Sequence, residues 1–298
     1  MRCSKCKEKA VFSSPALCKK HFISYFEKKV FDTIKKYSMF NASDNVCVAC
    51  SGGKDSTTAL YLVKKFVGDK GKVSALLIDE GIAGYREHTV KDLMRFCMLH
   101  KIPLRSVSFQ KEFGSTLDAI LKSGKAGLKP CTVCGALRRY LLNKHARGFD
   151  CIVTGHNLDD ESQAIVMNLL KQHIDVLSRL GPVTGVAKHR GFVRRVKPLY
   201  FCPEKEVAIY SLLMGFGVSF NECPYTNEAY RGDVRQLLNS YEALHKGTKL
   251  NIVRHFLSLS PGLKKSFAGS SPVFCVNCGE PSSNDVCNVC VIVKKICG

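Results

Sequence analysis

Three groups of cysteines carry much of the chemistry that this sequence can perform. Cys3-x2-Cys6 is followed by Cys18-x2-His21, three thiols and an imidazole whose spacing suits one tetrahedral metal ion with each pair on a tight turn. Cys275-x2-Cys278 and Cys287-x2-Cys290 offer four thiols in a Gly/Pro/Ser/Asn-rich stretch, the pattern of a zinc ribbon. Neither set leaves a coordination position open, so both read as structural zinc that supplies folding energy to segments too small to bury a core. The third group differs. Pro130-Cys131-Thr132-Val133-Cys134-Gly135 places two thiols at the start of a helix, where the dipole favours thiolates. Cys223, in a Cys-Pro turn like the flank of an iron–sulfur ligand, is the natural third member. If these three hold a [4Fe–4S] cluster, one iron stays open to an exogenous group such as sulfide. Alone, the Cys-x2-Cys pair fits a redox couple or half a zinc site equally well.

The second chemical feature is Ser51-Gly52-Gly53-Lys54-Asp55-Ser56, which follows an apolar run and opens a helical period. Its glycines let backbone N–H groups approach a phosphate at the positive end of the helix. It has neither the Walker form nor the dinucleotide fingerprint. Instead it resembles the loop of the N-type ATP pyrophosphatases, whose SGGxDS motif binds the pyrophosphate released when ATP adenylates a substrate. In that role Lys54 neutralises the β,γ-phosphates, Ser51 and Ser56 donate hydrogen bonds to them, and Asp55 holds Mg²⁺ or caps the helix. Asp79 ends the next strand, where that family places nucleoside contacts. The turn Gly155-His156-Asn157-Leu158-Asp159-Asp160 ends a later strand at the same edge, and its aspartates also suit helix capping.

Such loops need a sheet to hold them. Short apolar runs Val46 to Cys50, Val73 to Asp79, Leu104 to Phe109 and Cys151 to Thr154 read as buried parallel strands. Helical periods fill the gaps at Ser56 to Phe66, Tyr85 to Leu99, Cys134 to Ala146 and Asp159 to Leu170, with further helices over Pro203 to Gly215 and Glu228 to Leu259. Repeated βα units imply an α/β fold, a doubly wound parallel sheet with ligands at the carboxyl ends of the strands. The cysteine spacing divides the chain into an N-terminal zinc finger (1–29), a catalytic domain (30–268) and a C-terminal zinc ribbon (269–298).

Composition narrows the partners. The chain has 298 residues, 45% hydrophobic and 23% charged, enough to bury a core and too little bias for disorder. No apolar run approaches the ~18 residues of a membrane helix, and the charged N-terminus has no apolar segment behind it. A cytoplasmic, reducing location is therefore expected, in which the clustered ones among the 16 cysteines bind metal rather than pair as disulfides, while Cys47, Cys50, Cys97, Cys151, Cys202 and Cys297 carry no assigned role. A formal charge of +20 attracts a polyanion, most plausibly nucleic acid. Part of the excess is local: Lys188, Arg190, Arg194 and Arg195 flank Phe192 in a strip suited to phosphate contact with base stacking, although its alternation also suits a half-solvated strand.

In order along the chain, the Cys/His knuckle, SGGKDS, PCTVCG, TGHNLDD, RRVKPL, the Cys223 turn and the terminal ribbon resemble the TtcA/TtuA family of tRNA 2-thiolation enzymes. The resemblance spans nearly the whole chain and is closest to the 2-thiouridine branch that carries two terminal zinc fingers. It implies an adenine-nucleotide α-hydrolase-like PP-loop domain and cluster ligation by Cys131, Cys134 and Cys223. The implied ATP site is Ala49, Ser51, Gly52, Gly53, Lys54, Asp55, Ser56, Asp79, Gly155 and Asp160. Arg138, one helical turn past Cys134, matches a basic residue near the cluster, and Asp160 an acidic one near ATP. The implied reaction is adenylation of the uridine C2 oxygen followed by sulfur transfer from the open iron, releasing AMP and pyrophosphate. The acceptor is tRNA, with the wobble uridine favoured over the T-loop uridine because the composition lacks a strong thermophile signature. Sulfide or a ubiquitin-like thiocarboxylate carrier donates the sulfur, and the enzyme is expected to be a homodimer. Two other readings stay open: persulfide chemistry on Cys131 and Cys134 without iron, and a non-catalytic zinc-finger RNA-binding protein.

Overall fold

The computed structural model describes residues 1–186, 191–218, 223–226, 230–267 and 273–297. Two small antiparallel hairpins lie near the termini, β1 (Phe12–Ser13) with β2 (Ala16–Leu17), and β8 (Val273–Phe274) with β9 (Pro281–Ser282). Between them β3 (Asn45–Cys50), β4 (Lys72–Asp79), β5 (Leu104–Ser108), β6 (Cys151–Thr154) and β7 (Arg195–Val196) form one sheet in the order β5-β4-β3-β6-β7. Every pairing in that sheet is parallel. The chain winds outward from β3 to β5 and then returns to the other side of β3 with β6, so β3 and β6 bracket the switch point where such sheets bind ligands.

The helices are α1 (Lys19–Lys36), α2 (Lys54–Val67), α3 (Arg86–Leu99), α4 (Phe109–Phe113), α5 (Leu117–Lys122), α6 (Pro130–His145), α7 (Leu158–Leu170), α8 (Ile174–Leu177), α9 (Glu204–Met214), α10 (Tyr230–Leu244), α11 (Thr248–Ser266) and α12 (Asn288–Cys297). Side chains alternate across the strands and so build two cores. Val46, Val48 and Cys50 of β3 face Phe22, Phe26, Leu60 and Val207 from α1, α2 and α9. Cys47 of β3 and Leu76 and Ile78 of β4 face Val133, Leu137 and Leu141 of α6 on the opposite side.

Several expectations need correction. The boundary after residue 29 falls inside α1, whose Phe22, Phe26, Val30 and Ile34 lie at helical spacing on one buried face continuous with Cys3 and Cys18. The N-terminal cysteine group is thus joined to the main core rather than set apart from it. The boundary after residue 268 lies outside the described residues. The strand expected over 104–109 ends at Ser108, whose hydroxyl accepts from Lys111 N and caps α4. The helical stretch 228–259 is two helices, broken by Gly247 at φ +93°, and the second continues through Pro261 to Ser266. The fifth strand, β7, comes from the basic strip and pairs through Ile152 with Arg195 and Val153 with Val196. No helix among the described residues is long and apolar enough to cross a membrane.

Candidate functional site

The loop after β3 is shaped by close approach. Gly52 has φ +84°, and a Cβ there would sit 2.3 Å from the Thr89 carbonyl oxygen in the first turn of α3. Gly155, after β6, lies so near the start of α2 that a Cβ would come within 2.7 Å of Ser56 N. Both positions therefore require glycine for space, as backbones that crowd a ligand do. Ser51 and Ser56 tie the loop together: Ser51 N donates to Ser56 Oγ at 3.1 Å, and Ser56 Oγ donates to Gly53 O at 3.1 Å. Gly53 caps α2, Ala49 lies half-buried in β3 opposite Thr154, and Asp79 turns back to accept from Gly81 N at 2.9 Å.

Lys54 is held between two carboxylates, Asp55 at 3.1 Å and Glu204 at 2.7 Å. Burial disfavours its charge, but these partners outweigh it and raise its pKa. Asp55 also accepts from Asn157 Nδ2 at 3.1 Å, while Asn157 N donates to Asp160 Oδ2 at 3.1 Å in a capping box that starts α7. Burial raises both carboxyl pKa values; Lys54 opposes it at Asp55, and Arg231, 3.5 Å from Asp160, opposes it there. The two aspartates at 159 and 160 have different roles. Asp159 is turned into the protein, accepting from Glu204 N at 2.7 Å and from Lys249 Nζ, whereas Asp160 stays with the loop residues. Glu204 and Arg231 carry no motif that singles them out in the sequence, and Asn157 stands in the turn after β6 with no role assigned to it there. The acid following Pro203 at a helix start is a signal for Glu204 only in hindsight, because such an acid ordinarily serves the helix dipole.

The thiol site lies at the N-terminus of α6. Cys131 is exposed and Cys134 and Cys223 are half-buried. Cys131 Sγ donates to Tyr225 O at 3.7 Å, and Tyr225 Oη donates to Asp118 Oδ1 at 2.7 Å, which pins the turn that carries Cys223. The expectation that the helix dipole favours thiolate is reversed at Cys134: burial pushes that thiol up to about 11, with Arg138 pulling the other way. Burial likewise raises Cys223. Arg138 does face this site, and it reaches Glu80, 3.5 Å away.

Cys3, Cys6, Cys18 and His21 bring their ligand atoms within 4.8 Å of one another, as do Cys275, Cys278, Cys287 and Cys290. Each set has the chemistry to hold one metal ion. In the second, the Cys287 amide donates to Cys275 Sγ at 3.3 Å, and such backbone donors lower that thiol to about 6. None of the described cysteines is in a disulfide. Cys47, Cys50, Cys97, Cys151 and Cys202 are buried in the cores, and Cys50 turns away from the loop to donate to Val48 O at 3.4 Å.

The basic strip is corrected in part. Arg194 donates to the Ser38 and Met39 carbonyls and Arg195 to Arg139 O at 3.0 Å, so both guanidinium groups are engaged in holding the scaffold. Lys197, at the end of the strip, is buried against both oxygens of Glu161 at 2.8 Å. Phe192 is exposed; Lys188 and Arg190 lie outside the described residues.

A family model for the PP-loop domain matches residues 24–240. The tRNA-5-methyluridine(54) 2-sulfurtransferase of Pyrococcus horikoshii is 35% identical across 97% of this chain and 93% of its own length. The tRNA 2-thiolation protein NcsA of Haloferax volcanii is 34% identical across 99% of both chains. Among solved structures, the U34-tRNA thiolase NcsA of Methanococcus maripaludis with its [4Fe-4S] cluster superposes with a TM-score of 0.83, at 30% identity, over 99% of this chain and 96% of that one. Agreement of sequence over nearly full length with agreement of fold places the assignment beyond the loop motif alone: the chain belongs to the PP-loop family of tRNA 2-thiolation proteins.

Proposed function

We propose that this protein is an ATP-dependent tRNA-uridine 2-sulfurtransferase of the cytoplasm. The observation that carries the reading is the contact chain between its two candidate sites. Arg86 donates to the Ser51 carbonyl of the loop at 2.7 Å and pairs with Glu80 at 2.6 Å, and Glu80 in turn lies 3.5 Å from Arg138 beside the thiols. A nucleotide loop and a thiol set linked through two arginines and the carboxylate between them suit a reaction that activates an oxygen and then replaces it with sulfur.

ATP takes the loop Ser51–Ser56, with Ala49, Asp79, Gly155 and Asp160 around it, and Asp55 and Asp160 offer oxygen ligands for Mg²⁺. Lys54 exchanges its carboxylate partners for the β,γ-phosphates, and the N–H groups at the start of α2 face the same charge. The uridine C2 oxygen attacks the α-phosphate; the α,β-phosphoanhydride bond breaks and pyrophosphate leaves. Adenylation makes that oxygen a leaving group. Sulfur then adds at C2, the C2–O bond breaks, and AMP departs with the oxygen to leave 2-thiouridine. When bound by Cys131, Cys134 and Cys223, a [4Fe–4S] cluster supplies an iron with an open coordination position for the incoming sulfur. Arg138 offers positive charge to anionic groups beside those thiols. The terminal sets hold zinc, and the functional unit is a homodimer. The wobble uridine is the acceptor, a reading supported by the likeness to the U34-tRNA thiolase across 99% of this chain. Sulfide or a thiocarboxylate carrier donates the sulfur.

The test is anaerobic incubation of the iron-reconstituted protein with ATP, Mg²⁺, sulfide and unmodified tRNA, followed by mass spectrometry of RNase fragments. A sulfur-for-oxygen gain that requires ATP and maps to the anticodon fragment is expected. A gain in the T-loop fragment would transfer the assignment to that uridine, and no gain with tRNA bound would overturn the sulfide-dependent reaction.

A further inference from the structure

Glu80 is unusual among the charged residues of this fold. It follows Asp79 at the carboxyl end of β4 and is 2% exposed, and its partner Arg86 is 4% exposed. A buried carboxylate is stable only when paired and hydrogen-bonded, and Glu80 meets two guanidinium groups that belong to different places. One oxygen lies 2.6 Å from Arg86 Nη2 and the other 3.5 Å from Arg138 Nη1.

Each guanidinium reports on a separate element. Arg86 begins α3 and also donates to the nucleotide loop and the strand under it, at 2.7 Å to Ser51 O and 2.7 Å to Ile78 O. Thr89, one turn later, is the residue against which Gly52 packs. Arg86 therefore fixes the loop from beneath. Arg138 stands on α6 one turn past Cys134, and its charge is felt by Cys134, Cys223 and Tyr85. The sequence from loop to thiols is thus Ser51, Arg86, Glu80, Arg138, with ion pairs or hydrogen bonds at each step.

We propose that Glu80 is a positioning residue that joins the nucleotide loop to the three-thiol site, so that occupancy of the loop by ATP is transmitted to the thiols through Arg86 and Arg138. The proposal rests on the reading of Ser51–Ser56 as the ATP site. Its physical basis is that Glu80 is buried with Arg86, so its carboxylate cannot exchange Arg86 for water at low cost, and any movement of that pair changes its distance to Arg138 at the half-exposed edge of the thiol site. A loop that moves under phosphate moves Arg86, and Arg138 is shifted relative to Cys134.

The test uses the full chain in its iron-free form, with thiol reactivity as the readout. Iodoacetamide alkylation of Cys131, Cys134 and Cys223 is followed by mass spectrometry with and without ATP and Mg²⁺, and ATP binding is measured separately by titration calorimetry. In the unmodified protein, saturating ATP is expected to change the alkylation rate of Cys134 by about fivefold, at the low end of ordinary coupling between sites. Glu80→Gln keeps the shape of the side chain and removes its charge. It should bind ATP within about threefold of the parent while the ATP-dependent change in alkylation disappears. Arg138→Gln, a substitution on a half-exposed side chain, should lose the change to the same extent, and the double variant should lose no more. Arg138→Gln carries the test alone if Glu80→Gln does not fold.

Retention of the ATP effect in either single variant overturns the proposal. ATP binding to the parent chain with no effect on any of the three thiols overturns it too, while leaving the nucleotide site standing. Failure of the parent chain to bind ATP refutes the nucleotide-site reading and the proposal with it.

Discussion

Replacing Asn143 with Leu should loosen the helix that carries the thiols, although residue 143 lies on its far side. The front of α6 presents Cys131, Cys134 and Arg138; its back presents Tyr140 and Asn143 to the C-terminal cysteine group, and Arg147 follows just past its end. Asn143 is 4% exposed, and its amide donates to Gly191 O at 2.8 Å and to Glu280 Oε2 at 3.0 Å while accepting from Val193 N at 3.0 Å. Tyr140 and Cys278 pack in the same core, and Arg147 pairs with Glu280 at 2.5 Å. Each neutral hydrogen bond contributes about 1 kcal/mol net and the bond to the carboxylate somewhat more, while Leu leaves the buried partners unsatisfied. Arg147 retains part of the Glu280 interaction, so the expected destabilisation is about 3 kcal/mol. Urea denaturation of the metal-loaded chain, followed by circular dichroism, measures it. Release of metal to a chromogenic chelator should quicken in parallel, because Glu280 and the Cys275–Cys290 group form one surface against α6. A loss below about 1 kcal/mol with unchanged release would refute the idea that the ribbon braces α6.

Three further outcomes follow from particular contacts. Gly155→Ala should lower ATP affinity by at least about tenfold, read by calorimetry, since its Cβ can be accommodated only by shifting the backbone of Ser56 at the start of α2. Lys197→Met should destabilise the fold by about 3–5 kcal/mol in a denaturation experiment by leaving Glu161 buried without its partner, and the Lys197→Met/Glu161→Leu double variant should recover most of the loss. His156 is exposed in the turn after β6, and desolvation by the protein packed beneath its ring, with Lys197 beside it, lowers its pKa to about 4. The unfolded imidazole binds a proton near its ordinary value while the folded one does not. Its contribution to stability is therefore present above about pH 6.5 and is lost as pH falls toward 4, a slope that His156→Gln should remove from the stability profile.

Much of this architecture was legible because it is written in local patterns. β3, β4 and β6 are largely apolar, and SGGKDS and the two terminal cysteine sets are fixed spacings that tolerate little else. What escaped was long-range. α1 was divided because Cys18 and His21 read as ligands, while the buried stripe from Phe22 to Ile34 only makes sense against α9 and the sheet. Arg194 and Arg195 read as exposed because they are basic and alternate, yet β7 lies at a sheet edge where their side chains find carbonyls from α6 and the loop after α1. Glu80 and Arg86 carry no motif at all. A carboxylate beside Asp79 and an arginine at a helix start are unremarkable until the fold buries both.

The contrast between the cysteine groups argues for two different kinds of metal chemistry within one chain. At each terminus four ligand atoms converge within 4.8 Å, the compact arrangement that a single tetrahedral ion requires, and backbone amides already point at the sulfurs. Cys131, Cys134 and Cys223 do not converge to that degree. Cys131 is exposed and its sulfur donates to a carbonyl of the turn that carries Cys223, and Arg138 faces the group. Such a set would suit a cluster, in which each of three irons would take one thiolate and the fourth would stay open, better than a single tetrahedral ion. Because burial holds Cys134 protonated at neutral pH, binding there must release a proton, and loading should become steeply more favourable as pH rises toward 11. Uptake of iron and sulfide measured from pH 6.5 to 8.5 should show that rise. A flat profile would mean that Arg138 and the helix end already hold the thiols ionised, and would refute the protonated state of Cys134.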